Sequence, residues 1–181
     1  MPLGGTALAA AATLAAAGHR VHLVVSPDLH RLDAEAGWLV EAQRVIRGGA
    51  VTMRIDHRID DPGSLARELD VVVVPSPRRA WHVPSVLTLR AWLAAGVPAV
   101  AARDRSASAL VQDGVDARLY PSGDRNALAR ILARLASDAR LRSEMGHAAA
   151  ARHGHRVRKV IAGSSDQSSG SFDERPRAGS R

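Results

Sequence analysis

The hydrophobic positions of this chain follow two spacings, one typical of helices and one typical of short buried strands. Residues 7–17 are rich in alanine and are followed by Gly18, which predicts a helix that ends at a glycine cap. Val21–Val25 is a short β-branched run, which favours a strand. Residues 71–74 are four consecutive valines, a pattern typical of a strand that is buried on both faces.

The same spacings recur along the rest of the chain. Further strands are predicted at Val51–Ile55, residues 97–101 and residues 117–120. Further helices are predicted at residues 28–47, 61–69, 84–95, 106–112, 124–136 and 138–152, with Asp124 and Asp138 as N-caps. Strands that alternate with helices pair in parallel through right-handed crossovers. The pattern therefore predicts an α/β fold with a doubly wound parallel sheet, in which ligands bind at the carboxyl ends of the strands.

The composition changes near residue 155. Residues 163–181 are mostly serine, glycine and charged side chains, with Phe172 as the one large apolar residue. Such a segment buries too little surface to offset the entropy of ordering it. We therefore predict a folded domain at residues 1–155 and a disordered, basic, Ser- and Gly-rich tail at residues 156–181. His153 and His155 lie at this boundary, and we expect them to be solvated rather than to bind a metal ion.

The net charge of +7 comes almost entirely from arginine, because Lys159 is the only lysine among the 25 basic residues. An excess of arginine and alanine is typical of a GC-rich genome, which would explain the basic charge. The alternative explanation of the charge is selection for a polyanionic partner. Aromatic residues make up 3% of the chain, too few for a platform on which single-stranded bases stack. We therefore expect no nucleic-acid partner.

Several other classes are excluded by what the sequence lacks. There is no cysteine, which excludes disulfide scaffolds, cysteine-based zinc sites and thiol catalysis. The most apolar stretch is interrupted by charged and polar residues, so no transmembrane helix is predicted. No basic residue precedes Arg20, so no signal peptide is predicted either, and we expect a cytoplasmic protein.

The loop after the valine strand is the richest in candidate chemistry. Arg78, Arg79 and His82 lie just before a predicted helix N-terminus, where free backbone N–H groups and the helix dipole favour anions. A phosphate-bearing ligand is one interpretation, and an exposed basic loop without a ligand is the other. No glycine-rich phosphate fingerprint accompanies the loop.

Three segments together resemble a known enzyme family. They are DVVVVPS from Asp70, RAWLAAGVPAVAA from Arg90 and ALVQDGVDARLYPSGD from Ala109. Their order and spacing resemble the C-terminal, donor-binding domain of family 4 glycosyltransferases, which are retaining enzymes of the two-domain GT-B type. The resemblance covers residues 2–152. It implies one Rossmann-like GT-B half, a nucleotide-diphosphate sugar as donor substrate, hexosyl transfer, and no metal or other cofactor.

The resemblance also implies a set of binding residues. Those expected near the donor phosphates are Gly4, Gly5, Arg78, Arg79, His82, Ser85, Val86 and Arg90. Those expected near the base are Arg54, Asp56 and His57. No catalytic residue is assigned.

The chain departs from the family at four of these positions. Ser85, with Pro84 before it, stands where the family has a Phe-Gly pair. Gly4 stands where the family has a phosphate-contacting lysine. His82 and Arg90 stand where the family has two glutamates, the first against the sugar and the second on the ribose hydroxyls. A carboxylate accepts hydrogen bonds from hydroxyls, whereas Arg90 can only donate.

Two parts of the family's architecture are absent from these residues. One is the acceptor domain. The other is the donor domain's first strand, which in the family precedes Pro2 and lies centrally, between the strands that correspond to Val21–Val25 and residues 71–74. Its absence predicts a gap in the sheet, unless the neighbouring strands close up. An upstream segment or another chain would fill that gap.

Two functions are therefore carried forward. The first is a nucleotide-sugar-binding domain of a partial or degenerate retaining glycosyltransferase, whose acceptor half is a partner chain or a missing upstream segment. The second is a non-catalytic Rossmann-like interaction module, or a relic, that binds no nucleotide.

Overall fold

The computed structural model describes residues 3–25, 36–55, 62–74 and 84–164 of the 181-residue chain. Within these ranges the strands are β1 (Val21–Val25), β2 (Val51–Ile55), β3 (Val72–Val74), β4 (Ala99–Arg103) and β5 (Ala117–Pro121). The helices are α1 (Leu3–Ala16), α2 (Ala36–Arg47), α3 (Pro62–Leu65), α4 (Pro84–Ala94), α5 (Arg105–Leu110), α6 (Arg125–Ser137) and α7 (Ala139–Ser164), with a 3-10 turn at Ala66–Glu68. None of these helices is long and apolar enough to cross a membrane.

The strands form two parallel sheets rather than one. β1 pairs with β2, with Val21 opposite Val51, and β3, β4 and β5 pair in that order. Among the described residues no strand pairing joins β1 to β3. The α/β class and the parallel pairing are confirmed. The predicted gap is present too, because β1 and β3 have not closed up on one another.

Helices cover both faces of the sheets, as expected for a doubly wound fold. On one face α1 and α6 pack against β3–β5, with Ala10 and Leu128 in one buried cluster. On the other face α4 packs against the same strands through Trp92. α1 also reaches the two-stranded sheet, because Leu8 packs against Leu23 of β1. One helix therefore lies against both sheets on the same side.

The valines of residues 71–74 are less buried than predicted. Val72 is buried, but Val71, Val73 and Val74 are half-buried, whereas Val100 in β4 is fully buried. Among the strands that the structure describes, β3 lies at the edge of its sheet, so no neighbouring strand covers its outer side. The prediction of a strand buried on both faces is therefore wrong for β3.

The helix caps predicted at Gly18, Asp124 and Asp138 are confirmed, although α1 begins at Leu3 rather than at residue 7. Gly18 and Gly96 follow α1 and α4 with φ of 89° and 77°, the left-handed conformation that favours glycine. Asp124 and Asp138 each accept a hydrogen bond at 2.9 Å from the backbone N–H three residues later.

The last helix is longer than predicted. α7 continues to Ser164 instead of ending at Arg152, so the predicted boundary at residue 156 falls inside a helix. His153 on this helix is only 4% exposed, and its Nε2 lies 3.2 Å from Asp116 Oδ2. The prediction that His153 is solvated is therefore wrong, because the carboxylate gives the buried ring a partner. The side chain of His155 and residues 165–181 lie outside the described part of the chain.

Candidate functional site

The candidate site is the edge of the sheets at which the strands end. Residues 17–20 join α1 to β1 and residues 95–98 join α4 to β4, so each helix ends where its strand begins. The opposite ends of α1 and α4, their N-termini, therefore lie at the carboxyl edge of the strands. They approach this edge from opposite faces, because α1 and α4 belong to different core clusters. This edge is the usual ligand-binding edge of an open α/β sheet.

The first turn of α1 contains Gly4 and Gly5. The first N–H groups of a helix have no partner within the helix, and they carry the positive end of its dipole. Glycine has no Cβ, so a ligand can approach the backbone closely at both positions. This turn suits an anion that is held by backbone groups rather than by a lysine.

The first turn of α4 contains Ser85 and Val86, with Arg90 one turn further along. Val86 and Arg90 are four residues apart, so they lie on the same side of the helix. Both are half-buried. The helix begins at Pro84, where the missing proline N–H costs nothing and the fixed φ suits a first turn. Backbone donors and one cationic side chain thus share the beginning of α4.

The remaining predicted residues are only partly covered by the structure. Arg54 lies in β2, directly before its last residue Ile55, and so at the carboxyl edge. The side chain of Arg54 is not among those described. Outside the described residues altogether lie Asp56, His57, Arg78, Arg79 and His82.

A carboxylate between two arginines lies beside β5, and sequence reasoning did not identify it. Asp113 Oδ2 is 2.6 Å from Arg103 Nη2, and Asp113 Oδ1 is 3.7 Å from Arg118 Nε. The backbone N–H of Leu119 also donates to Asp113 Oδ1, at 3.0 Å. A tight turn at Gly114, with φ of 85°, brings the carboxylate back against β5. No spacing in the sequence indicates this contact. The sequence also predicts that this strand ends at residue 101, whereas β4 continues to Arg103.

Two further observations bear on ligand chemistry. In the described part of the chain, no group of three or more His, Cys, Asp or Glu side chains is arranged to hold a metal ion. An open cavity of about 500 Å³ is present, but it lies at the amino ends of β3 and β4, beside Asp70 and Pro98. Its arginine, Arg142, donates to two carbonyl oxygens at the end of α6, at 2.5 and 3.1 Å. We therefore assign no ligand to that cavity.

The family profile of the group 1 glycosyl transferases matches residues 6–138. This range is more than half of the chain, and it includes all of the described strands and the whole of α4. The chain therefore belongs to the group 1 glycosyl transferases. A comparison with curated proteins found no match.

Solved structures of GT-B glycosyltransferases share this fold. HepE from Anabaena, in complex with UDP and glucose, is 19% identical with a TM-score of 0.62, over 92% of this chain and 46% of HepE. Sucrose-phosphate synthase from Thermosynechococcus elongatus is 23% identical with a TM-score of 0.55, over 89% of this chain and 43% of the synthase. A glycosyltransferase from Rickettsia africae is 11% identical with a TM-score of 0.60, over 93% of this chain and 46% of that enzyme. The chain thus has the Rossmann-like fold of one GT-B half and spans less than half the length of each of these proteins.

Proposed function

We propose that this chain binds a nucleotide-diphosphate sugar, as the donor half of a retaining hexosyltransferase. The observation that carries the proposal is the pair of helix N-termini, α1 and α4, at the carboxyl edge of the sheets. Arg90 on α4 lies within the range that the family profile matches. The complex of HepE with UDP and glucose supports the same ligand class.

The diphosphate is proposed to lie between the two helix N-termini. Backbone N–H groups at Gly4 and Gly5 donate from one side, and those at Ser85 and Val86 donate from the other. Arg90 adds a charge-assisted hydrogen bond, which is stronger than a neutral one. These groups neutralise a diphosphate without a metal ion or another cofactor. Further positive charge comes from the preceding loop, at Arg78, Arg79 and His82.

The nucleoside is proposed to lie near the end of β2. Arg54, Asp56 and His57 follow this strand and offer backbone and side-chain groups to the base. Arg90 stands where the resemblance has a ribose-binding glutamate, and a guanidinium cannot accept a hydrogen bond from a hydroxyl. We therefore assign Arg90 to the diphosphate rather than to the ribose.

Catalysis requires a second half that these residues do not contain. The chain spans 46% of HepE, and the cleft of a GT-B enzyme lies between its two domains. The acceptor half is proposed to be a partner chain or an upstream segment of the same protein. This chain alone is then expected to bind donor without turning it over, in the cytoplasm and without a nucleic-acid partner.

Isothermal titration with UDP tests the proposal. We expect saturable heat with the unmodified chain. Arg90→Glu is expected to weaken UDP binding by about tenfold or more, since it replaces a charge-assisted hydrogen bond with a repulsive charge. The matched control is Arg67→Glu, which makes the same charge change on an exposed side chain in the turn before β3, at the opposite edge. The control is expected to leave the affinity within about twofold, because distant surface charges are screened by salt.

The alternative function is an interaction module that binds no nucleotide. Gly4 and Arg90 favour it, because both replace side chains that contact the donor in the family. A titration without heat at millimolar UDP and GDP would establish this alternative. If Arg90→Glu bound UDP more tightly than the unmodified chain, a ribose contact at that position would replace the diphosphate contact.

A further inference from the structure

The parts of the proposed ligand follow the carboxyl edge of the sheets in order. The nucleoside is assigned to the end of β2, and the diphosphate to the beginnings of α1 and α4, next to β1 and β3. In a nucleotide-diphosphate sugar the glycosyl group is attached on the side of the diphosphate that is remote from the nucleoside. The strand that follows β3 in its sheet is β4. The glycosyl group is therefore expected at the end of β4, an expectation that rests on the proposed function.

The segment after β4 lies on the same face of the sheet as α4. Ala99 and Ala101 of β4 belong to one buried cluster with Leu89 of α4 and Ala107 of α5. Arg105 is the first residue of α5 and comes two positions after the end of β4, so it lies at the carboxyl edge on this face. Neighbouring strands are about 4.8 Å apart, which places this position one strand away from the end of β3.

The carboxylates near this part of the edge are already used within the protein. Asp104 after β4 and Asp124 after β5 each accept a hydrogen bond from the backbone N–H three residues later, at 2.8 and 2.9 Å. Beside β5, Asp113 is paired with Arg103 at 2.6 Å. The hydroxyl groups of a neutral sugar donate protons, and carboxylates are strong acceptors for them. At the ends of β4 and β5, each described carboxylate therefore already has a partner.

Two arginines at the same edge have no such partner. Arg105 is exposed and Arg90 is half-buried, and neither forms an ion pair with another described residue. A guanidinium cannot accept the proton of a hydroxyl group. It donates through a planar fork that matches the two oxygens of a carboxylate. With Arg90 assigned to the diphosphate, Arg105 is the cation that remains for the glycosyl group.

We propose that Arg105 binds a carboxylate on the transferred sugar, so that the donor is a nucleotide-diphosphate hexuronate rather than a neutral hexose. The guanidinium of Arg105 donates two parallel N–H bonds to the sugar carboxylate at the end of β4. Asp104 stays in its capping contact and does not repel the ligand from a free position. The substrate class of the proposed transferase is thereby narrowed to acidic sugars.

The test is isothermal titration of the chain with UDP, UDP-glucose and UDP-glucuronate at low ionic strength. We expect UDP-glucuronate to bind about fivefold more tightly than UDP-glucose, the size expected for one charge-assisted contact at an exposed side chain. Arg105→Gln is expected to abolish this preference and to leave the affinity for UDP and UDP-glucose within about twofold. The preference is also expected to decrease as salt is added, because Arg105 is exposed.

The matched control is Arg125→Gln. Arg125 is exposed, and it is the first residue of α6 after the capping Asp124, just as Arg105 is the first residue of α5 after Asp104. It follows β5, one strand further from α4, and α6 packs in the buried cluster on the other face of the sheet. Arg125→Gln is therefore expected to keep the preference for UDP-glucuronate.

The possible failures of this inference and of the proposed function are distinguishable. If the unmodified chain bound UDP but did not prefer UDP-glucuronate to UDP-glucose, the inference would be overturned and the proposed function would stand. If none of the three ligands bound, both would be overturned. If Arg125→Gln abolished the preference and Arg105→Gln did not, the assignment of the sugar carboxylate to Arg105 would be wrong.

Discussion

The two sheets of this molecule differ in burial in a way that their compositions do not suggest. β4 has the sequence AVAAR and its first four residues are each at most 2% exposed. β1 has the more apolar sequence VHLVV, and yet Val21, Leu23 and Val24 are only half-buried. In the described part of the chain, β4 has a paired strand on each side, whereas β1 has one on a single side. Burial in a sheet therefore depends on the neighbours of a strand more than on its own hydrophobicity.

The same contrast holds for polar contacts. In the three-stranded half, the carboxylate of Asp116 is 1% exposed and accepts from Gln112 N at 2.7 Å, Arg152 Nη1 at 3.1 Å and His153 Nε2 at 3.2 Å. In the two-stranded half, His22 Nδ1 and Thr52 Oγ1 lie 2.6 Å apart on the exposed side. Among the described residues, the carboxylate of Asp116 is held in the core by α7, whereas the His22–Thr52 contact lies in solvent.

The largest effect is expected from removing that sealed carboxylate. Asp116→Ala leaves His153 and a backbone N–H without their partner and is expected to lower the free energy of unfolding by about 3 kcal/mol. Asp70→Ala removes an ion pair with Arg142 at 3.6 Å in which the Asp70 side chain is 84% exposed. It should cost less than about 1 kcal/mol. Unfolding in guanidinium chloride measures the free energy of unfolding of both variants. If both variants lost the same amount, the two contacts would be equally solvated.

A second prediction concerns how closely α7 approaches the turn after α4. A Cβ at Gly146 would collide with the carbonyl oxygen of Gly96, whereas a Cβ at Gly154 would meet Ala94 O at an ordinary 3.8 Å. Gly146→Ala is expected to destabilise the protein by about 2 kcal/mol, through backbone displacement. Gly154→Ala is expected to stabilise it by up to about 1 kcal/mol, because alanine favours the helix. Thermal unfolding measures both variants. If both substitutions shifted the melting temperature in the same direction, this packing would be contradicted.

A third prediction concerns pH and reports only on the three-stranded half. Burial in that half raises the pKa of Tyr120, the single tyrosine of the chain, to about 12. The unfolded chain loses this proton near the ordinary pKa of about 10. Stability is thus unaffected by this group below pH ~10 and falls as the pH rises toward ~12, by up to about 2 kcal/mol.

Tyr120→Phe is the control for the pH prediction. The variant is expected to lose this part of the alkaline decline in unfolding free energy, and the tyrosinate absorbance of the unmodified chain should rise near pH 12. A rise near pH 10 would mean that β5 is open to solvent.

The smallest difference in unfolding free energy is expected between two matched valine substitutions. Val100→Ala in β4 is expected to cost about 2 kcal/mol, and Val24→Ala in β1 about 1 kcal/mol, because the half-buried side chain loses less contact and leaves no closed cavity. The comparison is made by chemical denaturation. Equal losses of unfolding free energy in the two variants would contradict the difference in burial between β1 and β4.

Much of the fold could be predicted from local signals. The period of the apolar residues located each described strand, and the caps at Asp124 and Asp138 and the glycine ends at Gly18 and Gly96 act within a few residues. The position of Arg90 relative to the beginning of α4 follows from the same signals, whereas Gly4 lies in a first turn of α1 that begins before the predicted residue 7. Their meeting at one edge follows from the topology of parallel strands.

Other features could not be predicted because they depend on contacts between distant segments. His153 has a partner in the core only because Asp116, from the turn before β5, accepts a hydrogen bond from its ring N–H. Arg103 meets Asp113 only because the turn at Gly114 folds back. The extension of α7 beyond Arg152 likewise has no local stop or continuation signal that would have located its end.

The sequence by itself determined the alternation of helices and strands, their parallel class and the family, because periodicity, caps and motif spacing are properties of neighbouring residues. Only the tertiary structure decided which strands are buried. It also decided that valine-rich β1 and β3 lie next to each other without pairing. The physical reason is that a strand's backbone groups and faces are satisfied by other segments, and those segments are identified only when the chain has folded.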